Sequence, residues 1–185
     1  MAGIVYELKG TFGKRVVGIV GGKTTVEGVD EVLEGLARID RKHGTVSQVF
    51  NASRIAGKGH LLHAARLALI AQATGKNFAS SLNIELACWV AGERQIDRAL
   101  GKVGVHKGGM KIAILTIGKT RSVVKRAVAN LMRELGVKRY DDVIELAPEK
   151  IAPLLNVFSI PKSELGIADI RKLVLERIAL LSLQR

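Results

Sequence analysis

MKIAILTIG (110–118) carries a single charge, at its second position, and is otherwise nearly all apolar. A run of that length and make-up suits a strand covered on both faces, central in a sheet with helices on either side. The next segment, GKTRSVVKRAVANLMRELG (118–136), changes period. Val123/Val124, Ala127/Val128, Leu131 and Leu135 fall on one side at helical spacing, which predicts an amphipathic helix that packs back on the strand.

Working outward toward the N-terminus, IVYEL (4–8) and KRVVGIV (14–20) read as strands around a Gly-Thr-Phe-Gly turn. In TTVEGVDEVLEGLARIDRKHG, Val26, Val29, Val32/Leu33, Leu36 and Ile39 recur at helical spacing, and Gly44 stops the helix. TVSQVFNAS (45–53) alternates as a strand, and RIAGKG leads into HLLHAARLALIAQATG (60–75), a helix apolar nearly all round. KNFASS is a polar connector. SLNIELACWV is helical by the spacing of Leu82, Glu85, Leu86 and Trp89, and GERQIDRALGKVGV gives a second short helix. Toward the C-terminus, Pro148, Pro153 and Pro161 break the chain into a short strand or turn and a short helix before a final helix in LGIADIRKLVLERIALLSLQ. The expected architecture is α/β (α+β-like): one domain over 1–185, with a mixed or antiparallel sheet of four to five strands packed by helices.

Lys and Arg number 29 against 17 Asp and Glu, a net charge of +12, which points to anionic partners, nucleic acid before membrane. The one cysteine, Cys88, lies in an apolar run and forms no internal disulfide or Cys-paired zinc site. Neither a signal peptide nor an apolar stretch of membrane-spanning length is present, so a soluble cytoplasmic protein is expected. The sparse Asn and Gln weakly suggest a thermophilic source.

Enzyme motifs fare poorly. GIVGGKTT (18–25) invites a phosphate-loop reading, but Val17 stands where the first glycine belongs. A turn at Gly21-Gly22 with Thr24 or Thr25 capping the next helix is favoured, and a nucleotide-binding enzyme is kept as the alternative. His60 and His63 have ligand spacing without a Cys, Asp or Glu nearby to complete a metal shell. No nucleophile elbow or paired carboxylates occur, and Asp141-Asp142 read as a solvated loop cluster. No cofactor is expected.

A basic set remains. Arg94, Arg98 and Lys102 recur at i, i+4 and i+8, with Gln95 beside them, opposite Ile96/Ala99/Leu100/Val103. Any amphipathic surface helix shows such a pattern. Its first turn differs, because Arg94-Gln95 point donors outward at a positive helix N-terminus beside Lys76-Asn77 and Ser80-Ser81. Aromatics make up only 4% and are scattered, so the expected nucleic-acid contact is short and donor-dominated rather than a stacking platform.

Taken in order, Asn51-Ala52, HLLHAARLALIA, the connector, SLNIELACWVAGERQIDRALGKVGV and KIAILTI resemble one family. Ser-Leu-x-x-Glu followed by two apolar residues, a polar break, then Ile-x-x-Ala-Leu-x-x-Val-Gly-Val is similar to the PRPK-binding protein family, the small kinase-binding subunit of the KEOPS complex. The likeness covers roughly residues 15–118, and the Arg-Gln-Ile break looks archaeal. RKLVLERIALL is similar in position and character, while His106-Lys107-Gly108-Gly109 departs from the acidic or polar connector of many relatives.

The resemblance implies a non-enzymatic regulatory subunit. It would bind the atypical kinase/ATPase subunit, connect indirectly to the other KEOPS subunits, and recruit tRNA by its 3′ CCA end for threonylcarbamoyladenosine formation. The RNA contacts are placed on His60, His63, Arg66, Lys76, Asn77, Ser81, Arg94 and Gln95. The kinase contact is placed on the last helix, at Leu173, Val174, Leu175, Ile178 and Leu181, because its apolar residues (Leu180 included) wrap more of its circumference than one core face needs.

Overall fold

A computed structural model describes residues 4–166 and 168–184. Its centre is β4 (Gly108–Gly118), whose residues 112–118 are all buried. The reason is that both faces are covered. Ile112 and Ile114 enter one core, with Val16, Val20 and Val49, under α1 (Val29–His43) and α5 (Arg121–Glu134). Ala113, Leu115 and Ile117 enter the other, with Val17, Ile19 and Phe50. That second face is covered by α2 (Lys58–Ala73), α3 (Leu82–Ala91), α4 (Ile96–Val103), α6 (Pro148–Val157) and α7 (Ile170–Leu180). An uninterrupted apolar strand in a helix–sheet–helix sandwich follows directly.

The sheet is antiparallel throughout, in the order β1 (Ile4–Gly10), β2 (Gly13–Val26), β4, β3 (Val46–Asn51), with β5 (Lys138–Arg139) also paired to β2. The expected class holds, and the antiparallel choice is the observed one.

The glycine-rich segment departs from expectation. GGKTT is neither turn nor phosphate loop but the second half of β2, which continues to Val26 and pairs with β4 from Val16↔Gly118 to Val26↔Gly108. The glycines are needed for close approach. A Cβ on Gly22 would lie 2.3 Å from Val137 Cγ1 and 2.6 Å from the Lys138 carbonyl, and one on Gly21 would lie 2.8 Å from Val143 Cγ2. The Gly21 amide donates to Asp141 Oδ1 at 2.9 Å, and Thr24 Oγ1 donates to the Leu135 carbonyl at 2.6 Å. Backbone donors held in a ladder do not wrap a phosphate, so the nucleotide-loop alternative loses its geometry. Asp141 is likewise an anchor rather than a solvated charge, since it also accepts from Arg139. Neither Thr24 nor Thr25 caps the next helix, which starts behind Gly28.

A buried lysine ties α6 to the turn at 143–144 and to Ile55 ahead of α2. Lys150, only 5% exposed, donates to the carbonyls of Ile55, Val143 and Ile144 at 3.1, 2.5 and 3.1 Å. Burial pushes its ammonium down to about 8, with Lys111 adding to the effect and Glu145 and Glu149 opposing it. No helix among the described residues is long and apolar enough to cross a membrane.

Candidate functional site

A cleft of about 1180 Å³ opens against α2 and α3. Its floor is apolar, from Leu67, Ile70 and Ala71 of α2 and Trp89 of α3. The 76–81 connector forms one wall and the C-terminal turn, Ser182 to Gln184, faces it. The volume is just above the ~300–1,000 Å³ of small-molecule sites, room for a segment of chain.

A buried carboxylate builds that wall. Glu85, 1% exposed in the first turns of α3, accepts from the Phe78 and Ala79 amides at 2.8 Å each through Oε2 and from Trp89 Nε1 at 2.8 Å through Oε1. The polar connector, which has no secondary structure to satisfy its amides, is thereby pinned to the helix that follows it. The same three bonds fix Phe78 against Trp89, with ring centroids 5.3 Å apart and planes inclined at 35°. Arg94 extends the stack, its guanidinium carbon 5.1 Å from the Phe78 centroid. Two of the chain's seven aromatics, Phe78 and the buried Trp89, thus meet at the cleft. The available signal was Phe78, Glu85 and Trp89 flanking one helix start, with Glu85 and Trp89 one turn apart.

Four of the eight candidate RNA residues line this cleft: Lys76, Asn77, Arg94 and Gln95. Asn77 Nδ2 donates to the Ala79 carbonyl at 2.8 Å, and Arg94 Nη1 to the Gln184 carbonyl at 2.9 Å. Arg94 is exposed and has no acidic partner among the described residues; its nearest acidic neighbour in sequence, Glu93, pairs with Lys102. Burial acts against ionisation of Glu93, but the Gln95 amide and Lys102 hold its carboxyl below the ordinary range.

The other four lie elsewhere. Ser81 sits exposed at the N-cap of α3 outside the cleft lining, and its side chain makes no capping bond. Arg66 points away to β1, donating to the Lys9 carbonyl at 3.0 Å. His63 is half-buried on α2, and burial, helped by the Arg66 charge, lowers its pKa. His60 belongs to the core: it is 2% exposed, Nδ1 accepts from the Ala56 amide at 3.1 Å, and Nε2 lies 2.8 Å from the Val90 carbonyl. Nδ1 is the acceptor, so Nε2 carries the proton and donates. With both nitrogens engaged inside the fold, His60 offers nothing to a ligand.

The last helix needs a parallel correction. Leu173, Val174, Ile178 and Leu181 are buried in the domain's own core, and Leu175 is half-buried against it. Because α7 packs on both α2 and α3, its wide apolar surface reflects burial on two sides. Only Leu180 and, beyond the helix, Leu183 are exposed, at 40% and 75%. On α4, Ala99 and Val103 face inward as the stripe predicts, whereas Ile96 and Leu100 stay exposed.

Two comparisons with known proteins bear on this arrangement. Residues 24–182 match the model of a family described as "Kinase binding protein CGI-121". The chain is also 28% identical over 142 residues to "Regulatory protein Cgi121" of Methanocaldococcus jannaschii, an alignment spanning 77% of this chain and 87% of that protein.

Proposed function

The chain belongs to the CGI-121 family of kinase-binding proteins, and from that premise we propose that it is a non-catalytic, tRNA-recruiting regulatory subunit of the KEOPS complex. It binds the atypical kinase/ATPase subunit and holds the single-stranded 3′ CCA end of tRNA in the cleft, in support of threonylcarbamoyladenosine formation. The observation that carries the RNA half is the exposed Arg94 guanidinium stacked on the half-buried Phe78, which the buried Trp89 backs, beside the donors of Lys76 and Gln95. A single-stranded end offers what such a wall takes: exposed base faces to stack and phosphates to neutralise. The basic charge of the chain favours the same ligand.

Filter binding of one tRNA with and without its CCA end tests this. The intact tRNA is expected to bind about tenfold more tightly, with a salt dependence that weakens when Arg94 is replaced by Glu. Equal affinity for both forms would leave a pure protein-interaction adaptor.

The kinase contact lies on the outer face of α7, around the exposed Leu180 beside Lys172 and Glu176. Leu180→Glu is expected to weaken binding of the kinase subunit by about tenfold or more while leaving the melting temperature within a few degrees, as for other exposed sites. Retained kinase binding would move the contact elsewhere. Val174→Glu answers nothing here, because it buries a charge in the core and unfolds the protein.

A further inference from the structure

The CCA-end reading leaves the other side of the sheet unused, and a group of exposed cations without ion pairs lies there. Lys119, Arg121, Lys125, Arg126 and Arg133 are exposed at or along α5, and Arg41 and Lys42 are exposed in the last turn of α1. The two helices are neighbours, fastened by the Arg38–Glu134 ion pair and by His43 Nε2 lying 2.8 Å from Asn130 Nδ2. None of the seven cations is in an ion pair among the described residues, and only Arg121 is occupied, donating to the Val5 carbonyl at 3.3 Å. Two neighbouring acids are engaged elsewhere: Glu134 on Arg38, and Asp40 on Thr45 Oγ1 and on the amide and hydroxyl of Ser47, while Asp30, Glu31 and Glu34 lie toward the other end of α1.

We propose that the outer face of α5 and the end of α1 form a second nucleic-acid surface, one that docks the phosphate backbone of an RNA duplex. From Arg121 to Arg133 the cations cover about 18 Å along the helix axis. Neighbouring cations along the helix, such as Arg121, Lys125 and Arg126, are about 1.5–6 Å apart in axial rise, inside the ~8 Å screening length at physiological salt, so their fields overlap. Arginines predominate, and their planar fork suits phosphate oxygens.

Two absences select the occupant. No large apolar side chain is exposed on these segments; Val29, Leu33, Ile96, Leu100, Tyr140, Leu165, Leu180 and Leu183 all lie outside them. A membrane-lying helix needs such a wedge. Nor does a Phe, Trp or Tyr occur in 34–44 or 119–136, and the one imidazole, His43, is half-buried and held against Asn130, so bases find no open ring to stack on. Charge without stacking fits a duplex, which is read through backbone and shape. The surface lies across the sheet from the cleft and stands whether or not the cleft takes a CCA end.

The test is fluorescence anisotropy of the full chain with a blunt RNA duplex of about 16 base pairs, free of single-stranded ends, at salt from about 50 to 200 mM. Lys125→Glu/Arg126→Glu/Arg133→Glu is expected to lose about tenfold or more in duplex affinity and to flatten the salt dependence, while Arg94→Glu changes it less than about twofold. A short CCA-ended single strand serves as the control for the cleft. Duplex affinity unchanged in the triple variant, or lost equally in Arg94→Glu, overturns the proposal, as does binding to phosphatidylserine vesicles through this face without duplex binding. If the reversed charges prevent cooperative melting, the Lys125→Gln/Arg126→Gln/Arg133→Gln chain carries the test, with a loss of about threefold expected.

Discussion

Replacing Glu85 with alanine is expected to cost about 3–5 kcal/mol of stability, as breaking a buried ionic or hydrogen-bonded site does. Three donors converge on its carboxylate, two of them backbone amides of a connector that has no ladder or helix to turn to. Each donor left buried and unpaired costs about 1–3 kcal/mol, and relief of the carboxylate's own desolvation returns only part of the sum. Glu85→Gln keeps the shape but turns an amide N–H₂ toward donors, so a cost of about 2–3 kcal/mol is expected from the same principle. Trp89 is the chain's sole tryptophan, so fluorescence-monitored urea unfolding reads both stability and the environment of the cleft floor. A loss below about 1 kcal/mol for Glu85→Ala, within the range of ordinary substitutions, would show that the connector is held by something else.

The same residue shows why the cleft was half legible in the sequence. Lys76, Asn77, Arg94 and Gln95 stand out as donors because each sits in a polar break beside a helix end, a local signal. Phe78 and Trp89 are 11 positions apart with a helix start between them, and only the bonds of Glu85 bring their rings together. The central strand and the amphipathic helices α1 and α5 were plain, because burial on both faces or on one leaves a period along the chain itself. The second half of β2 was not. Gly21 and Gly22 read as a turn, whereas what they accommodate is the chain at 137–144, more than 110 residues away. Periodicity gave the width of the apolar surface on α7 but not how many neighbours cover it, so a helix packed on two others looked like one with a spare face. His63 and Arg66 are indeed one turn apart, yet Arg66 is taken up by the Lys9 carbonyl of β1, a partner 57 positions away that local spacing does not reveal.

Acid is expected to weaken the fold through His60. Burial, the largest influence, lowers its pKa from 6.5 to about 4; the neighbouring charges of His63 and Lys150 push the same way, and the hydrogen bond to the Val90 carbonyl opposes them. Protonation would place a second N–H at Nδ1, facing the Ala56 amide that now donates to it. A base with a depressed pKa in the fold takes up its proton preferentially when unfolded, so the unfolded chain is favoured as pH falls. The contribution of His60 is intact above pH 6.5 and is lost progressively down to about 4, reaching about 2 kcal/mol at pH 5 and about 3 kcal/mol at the end. Urea unfolding at pH 7 and pH 5 isolates it when wild type is set beside His60→Asn, which has nothing to titrate: other carboxylates and His63 cancel, and the wild type should lose about 2 kcal/mol more. A difference under about 0.5 kcal/mol would mean that the imidazole charges without cost. Because His60 joins the start of α2 to the end of α3, through the Ala56 amide and the Val90 carbonyl, its protonation strains the same two helices that floor the cleft.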